Sequence, residues 1–174
     1  TNIHNITIPT IGLHNIRNAT AAAAVAFSIG ISNNLIKKGL NNFQGVQRRF
    51  NKIFDYEKSI FIDDYAHHPT EITEVLNAVK SVYKKKEIIC IFQPHRASRL
   101  MDLRKEFSFS FKKADAVILC PIFKAGENIK IKINYHNFAK EIIKNSNVKL
   151  MIIKYQLELS KLVKQYAFGE KIFI

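Results

Sequence analysis

The apolar positions of this chain fall in short blocks whose spacing switches between about two residues, as in a strand, and about 3.6, as in a helix. Residues 3–8 alternate like a strand, and Pro9 and Gly12 close the run. Residues 15–28 predict a helix with an alanine-rich centre, Ala19 and Ala21 to Ala24, since alanine favours helix most. Gly30 reads as its stop. A shorter helix is expected over residues 33–40, ending near Asn41 and Asn42, and Gly45 breaks the pattern again. From Phe50 the alternation becomes regular. Two strands, residues 50–56 and Ser59–Asp63, surround a turn at Glu57 and Lys58. Pro69 stands where a helix can begin, because the first helical N–H has no partner to lose. That helix is expected over residues 69–84, with Ile72, Val75, Leu76, Val79 and Val82 on one face. Strand Glu87–Phe92, helix 98–113, strand Ala116–Leu119, helix 136–144, strand 148–153, helix 157–166 and strand 171–174 follow. Such alternation predicts an α/β fold with a mostly parallel sheet and helices on both faces.

The opening segment is too poor in strands to be a self-sufficient domain, and is expected to be the tail of one whose body lies upstream. The apolar run at residues 171–174 has no closing helix after it, so the chain reads as a fragment. With 47% hydrophobic residues and only 6 Gly and 4 Pro, it is globular and not a linker. No apolar run approaches the roughly 20 residues that a membrane span requires, so no membrane partner is expected. Thr1 to Gly12 lacks a secretory pattern. Cys90 and Cys120 sit inside apolar segments without metal-ligand spacing. Buried free thiols in a reducing compartment, the cytoplasm, are the expectation. The net charge of +13 would fit nucleic acid, but its lysines are scattered and the phenylalanines fall at core-like positions. A compositional habit that solvates helix faces is the simpler reading, and no nucleic-acid partner is expected.

Candidate chemistry clusters after strands. Asp63, Asp64, Tyr65, His67, His68 and Glu71 follow the strand at residues 59–63, and His95, Arg96 and Arg99 follow Glu87–Phe92. An open α/β sheet presents its binding residues there, beyond the carboxyl ends of its strands. His67 and His68 precede a helix, where an imidazole can cap, donate to an anion or bind a metal. Without a third spaced ligand they are weak evidence for zinc, and no metal site is assigned. His95, Arg96 and Arg99 form a cationic cup opening a helix. Positive charge opposes the dipole there, so an anion should compensate. Lys124 to Glu127 supplies a loop at the same edge. Arg48 and Arg49 can meet Asp63 or Asp64 as an ion pair, or clamp a ribose and phosphate. Asn15 and Asn18 share one helix face, where two carboxamides could read a purine edge, although N-capping is the simpler role.

Five elements together carry a resemblance: Gly12-Leu13-His14-Asn15 with Asn18-Ala19; Phe43, Gly45-Val46 and Arg48-Arg49-Phe50; Asp63 through Glu71; Phe92-Gln93-Pro94-His95-Arg96 with Arg99; and Ala125-Gly126-Glu127. In this order and spacing, over residues 12–127, they resemble the Mur ligases. The resemblance implies the end of a central ATPase domain over residues 1–46 and a Rossmann-like C-terminal domain, incomplete at its end, over residues 47–174. It implies the branch joining L-alanine to UDP-N-acetylmuramate through an acyl phosphate, with ATP and Mg2+, in peptidoglycan precursor synthesis. By the same resemblance Asn15, Asn18, Arg49 and Asp64 match nucleotide-binding positions, which revises the capping preference at Asn15. Tyr65, His95, Arg96 and Arg99 match substrate-binding positions and His67 a catalytic one. The substrate would then be the anion opposite Arg96 and Arg99. Ala97 and Phe123 depart from the aromatic and tyrosine usual there, and residues 128–135 match no motif. The muropeptide-recycling branch is a second reading, less favoured because it is not expected to carry Gln93-Pro94-His95-Arg96. A metal-dependent hydrolase on Asp64, His67, His68 and His95 is a third, and a basic binding module a fourth. The chain contains no Gly-x-x-x-x-Gly-Lys-Ser/Thr phosphate loop, so the 174 residues alone are expected to be inactive. The oligomeric state is not legible.

Overall fold

In a computed structural model, which describes residues 5–128 and 133–174, the chain divides into two compact units, Thr1–Arg49 and Phe50–Ile174. In the first, helix α1 (Leu13–Ser28) precedes α2 (Asn33–Asn41), whose Ile36 is buried. Gly30 does stop the first helix, with a φ of 86°. The strand expected over residues 3–8 does not form over its described part. Residues 5–8 have no regular structure, and residues 3 and 4 lie outside the described part. Alternation alone cannot make a strand where no neighbouring strand pairs with it.

The second unit is a six-stranded sheet in the order β1-β2-β6-β3-β4-β5. Its elements are β1 (Asn51–Tyr56), β2 (Ser59–Asp63), α3 (Pro69–Val82), β3 (Glu87–Phe92), α4 (Ala97–Asp102), α5 (Arg104–Phe109), β4 (Ala116–Leu119), α6 (Tyr135–Ser146), β5 (Lys149–Ile152), α7 (Gln156–Tyr166) and β6 (Lys171–Phe173). The β1–β2 hairpin turns at Glu57 and Lys58, whose φ values of 48° and 67° give the handedness that two-residue hairpin loops need. That pair is antiparallel, and the other pairings are parallel.

The pleat sorts side chains onto two faces. Ile88, Cys90, Phe92, Val117, Leu119 and Ile172 point to one side and pack with Ile72, Leu76 and Val79 of α3, Phe107 of α5, and Phe138 and Ile142 of α6. Ile89, Ala116, Ile118, Cys120 and Phe173 point to the other and meet Leu159, Leu162 and Val163 of α7. Helices therefore cover both faces, as the alternation predicted.

Two details differ from the sequence reading. Val82 is 45% exposed, because after Val79 the buried face passes to Tyr83. The helix expected over residues 98–113 is two helices broken at Leu103, whose φ of −113° and ψ of 24° leave the helical well. Leu100 and Phe107, one in each helix, both reach the core.

Candidate functional site

Parallel order brings the carboxyl ends of β2, β3 and β4 to one edge of the second unit, and the loops beyond them carry most of the candidate residues. At the end of β2, the Asp64 carboxylate accepts from two backbone amides, Phe50 N at 2.8 Å and Ala66 N at 2.7 Å. It thereby pins the start of β1 to the end of β2. Next, the rings of Tyr65 and His67 meet edge to face at 4.9 Å, with Tyr65 40% exposed.

The two neighbouring histidines have separate tasks. His68 is the N-cap of α3: Thr70 N donates to its Nδ1, and Glu71 completes the capping box from the third helical position. His67 instead turns toward the next loop. Its ring lies 5.8 Å from that of His95, its Nδ1 is 2.8 Å from the Tyr65 carbonyl, and Glu71 Oε2 is 3.6 Å away. A carbonyl can only accept, so this contact calls for a proton on Nδ1, and in the neutral ring Nε2 is then the nitrogen with the lone pair.

Beyond β3, Arg99 Nη1 donates to the His95 carbonyl at 3.2 Å and lies 3.4 Å from His95 Nδ1. Burial, then the positive charge of Arg99, His67 and Arg96, lowers the His95 pKa below its ordinary 6.5, against an opposite pull from Glu127. Arg96, exposed, is the N-cap of α4 with a φ of 70°. Phe123, which is 53% exposed, lies 5.5 Å from the His95 ring, and the buried Ala97 leaves no aromatic at the helix start.

The anion demanded at this helix start exists within the protein. Glu127 Oε2 accepts from Ala97 N at 2.8 Å and Ser98 N at 3.3 Å, and Oε1 accepts from the Ser98 hydroxyl. The Ser98 hydroxyl, then the two amides and Arg96, hold its pKa below the usual 4.5 despite partial burial. Glu127 was legible only as part of a loop. The unbalanced positive charge at residues 95–99 was the signal that could have found it.

The remaining candidates lie in the first unit. Asn15 does not cap α1. The N-cap position is Gly12, and the Asn15 side-chain amide donates to the Ile11 carbonyl at 2.7 Å. Capping is thus not what keeps an asparagine there. Asn18, one turn on, is exposed, as are Arg48 and Arg49. Among the described residues no group of three or more His, Cys, Asp or Glu side chains could hold a metal ion. Cys90 and Cys120 are buried free thiols, raised by burial to about 12 and about 11. No helix of the described residues is long and apolar enough to cross a membrane.

Residues 48–167 match the family described as Mur ligase, glutamate ligase domain. Over 99% of its length the chain is 63% identical to the UDP-N-acetylmuramate–L-alanine ligase of Pelagibacter ubique, covering 37% of that protein. It is 44% identical to the ligase of the same name from Rickettsia felis over 83% of this chain and 31% of that one. Among solved structures, the UDP-N-acetylmuramate–alanine ligase of Thermotoga maritima superposes with a TM-score of 0.75 at 27% identity, over 97% of this chain and 35% of that one. The chain thus spans about a third of the length of the relatives it matches.

Proposed function

This chain belongs to the Mur ligases, and from that premise we propose that it is part of a ligase joining L-alanine to UDP-N-acetylmuramate in peptidoglycan precursor synthesis. On this reading residues 1–46 end a central ATP-binding domain and residues 47–174 form the C-terminal domain. The observation that carries the reading is the cup of His67, His95, Arg96 and Arg99 at the carboxyl edge of the sheet, where His95 already sits in a positive field. Such a cup suits the two anions that meet in this reaction, an amino-acid carboxylate and an acyl phosphate.

ATP, when bound, supplies the phosphoryl group that activates the muramoyl carboxylate. Asn15 and Asn18 offer carboxamide donors and acceptors suited to adenine, and Arg49 and Asp64 suit phosphate and ribose. Mg2+ belongs to the reaction class, and no described residue is assigned to hold it. Arg96, Arg99 and His95 hold the amino acid by its carboxylate beside Tyr65. His67, with Nδ1–H tied to the Tyr65 carbonyl, presents Nε2 to take the proton of the ammonium group. The freed amine attacks the acyl carbon, the amide bond forms as the C–O bond to phosphate breaks, and the departing phosphate takes the second proton from the nitrogen. Buried reduced cysteines and nucleotide substrates suit the cytoplasm.

The test replaces the matching segment of the Pelagibacter ubique ligase with this chain. The chimera is expected to release phosphate only when ATP, UDP-N-acetylmuramate and L-alanine are all present, and to yield the alanyl product by mass spectrometry. The isolated chain, which has no Gly-x-x-x-x-Gly-Lys-Ser/Thr loop, is expected to release none. A folded chimera that ignores L-alanine, or prefers a peptide amine, would refute the reading.

A further inference from the structure

The loop after β4 grips the cation-bearing segment at two points. At the first, Arg96 N donates to the Phe123 carbonyl and Phe123 N to the Pro94 carbonyl, both at 2.9 Å, which makes an isolated parallel bridge between His95 and Phe123. At the second, Glu127 takes the first two amides of α4 and the Ser98 hydroxyl. Arg96 lies between these grips with a φ of 70° and a ψ of 127°. A side chain rarely tolerates that backbone, and it persists only where the surroundings over-determine it. The same torsions set where the Arg96 side chain leaves the backbone relative to His95 and Arg99.

A carboxylate beside an anion-binding cup would normally weaken the cup. Here its charge is engaged by the amides at the positive end of α4 and by Ser98, so it organises the cations at small cost to the field they make. Resting on the ligase reading, we propose that Glu127, with Ser98 as its partner, is a positioning residue for the amino-acid end of the site. It clamps the first turn of α4 so that His95, Arg96 and Arg99 converge on one anion. Glu127 itself touches no reacting atom.

Two measurements test this, the second independent of catalysis. In the chimera, Glu127→Ala is expected to lower kcat/KM for L-alanine by about 10- to 100-fold, the usual consequence of misplaced binding groups, with KM for ATP within about twofold. Glu127→Asp should restore part of the loss. Ser98→Ala should cost less alone and add little to Glu127→Ala, since the two act as one unit. A purely structural role would lower the melting temperature and leave that kinetic split absent. Values for L-alanine within about twofold of the parent would overturn the proposal. In the 174-residue chain, hydrogen exchange of the Arg96, Ala97 and Ser98 amides should accelerate about tenfold or more in Glu127→Ala while the β3 and β4 amides keep their protection. Unchanged exchange at those three amides would overturn it equally. An inactive parent chimera would instead sink the ligase reading and leave the exchange result to judge Glu127.

Discussion

Replacing Asp64 should cost folding stability before it costs nucleotide binding. Its carboxylate accepts from Phe50 N at 2.8 Å and from Ala66 N at 2.7 Å, in a partly buried position. Hydrogen bonds to a charged group are worth about 1.5–3 kcal/mol each, and partial solvent access places these two near the lower end. Asp64→Ala removes both acceptors, and water recovers part of the loss, so the expected destabilisation is about 2–3 kcal/mol. Asp64→Asn keeps one oxygen and sets an NH2 against the other amide, for about 1–2 kcal/mol. At roughly 3 °C per kcal/mol for a chain of this size, alanine should lower the melting temperature by about 6–9 °C and asparagine by about 3–6 °C. Thermal and urea unfolding followed by circular dichroism measure this. Hydrogen exchange should show the Phe50 and Ala66 amides losing protection first. Equal melting temperatures for parent and Asp64→Ala, with unchanged exchange at Phe50, would show that this carboxylate does not pin β1 to β2. In the chimera, the excess of the Asp64→Asn effect on KM for ATP over that on KM for L-alanine then reports the ribose contact separately from the fold.

Ile142 is fully buried in the α6 face of the core, so Ile142→Ala should cost about 2–5 kcal/mol in urea unfolding, and a change near zero would contradict the packing described. Because the fold lowers the His95 pKa below 6.5, its contribution to stability is present above that pH and lost as pH falls through the depressed value. His95→Asn should abolish the part of the acid destabilisation in that window. An identical pH profile for the two proteins would refute the assignment. Glu127, also depressed, adds a second loss at lower pH, below 4.5, which Glu127→Gln should remove.

The strands Ser59–Asp63, Glu87–Phe92 and Ala116–Leu119 were legible to the residue because β-branched runs end abruptly in polar or turn residues there. Pro69 likewise marked the start of α3. The insertion of β6 between β2 and β3 was not legible, since pairing partners distant in sequence leave no local pattern. The break at Leu103 carries neither Gly nor Pro to announce it. At the site, residue types alone foretold a cationic cup but not which histidine caps. His68 does, and His67 is freed to face His95 by its own bond to the Tyr65 carbonyl. The role of Glu127 depended on a contact spanning 30 residues, which only the fold supplies.

The central claim is that the cup at the carboxyl edge receives the amino acid. Steady-state kinetics of Arg96→Ala in the chimera test it most directly. The account predicts that kcat/KM for L-alanine falls by about tenfold or more, the loss expected of one charge-assisted bond, while KM for ATP stays within about twofold. An unchanged KM and kcat for L-alanine would contradict it.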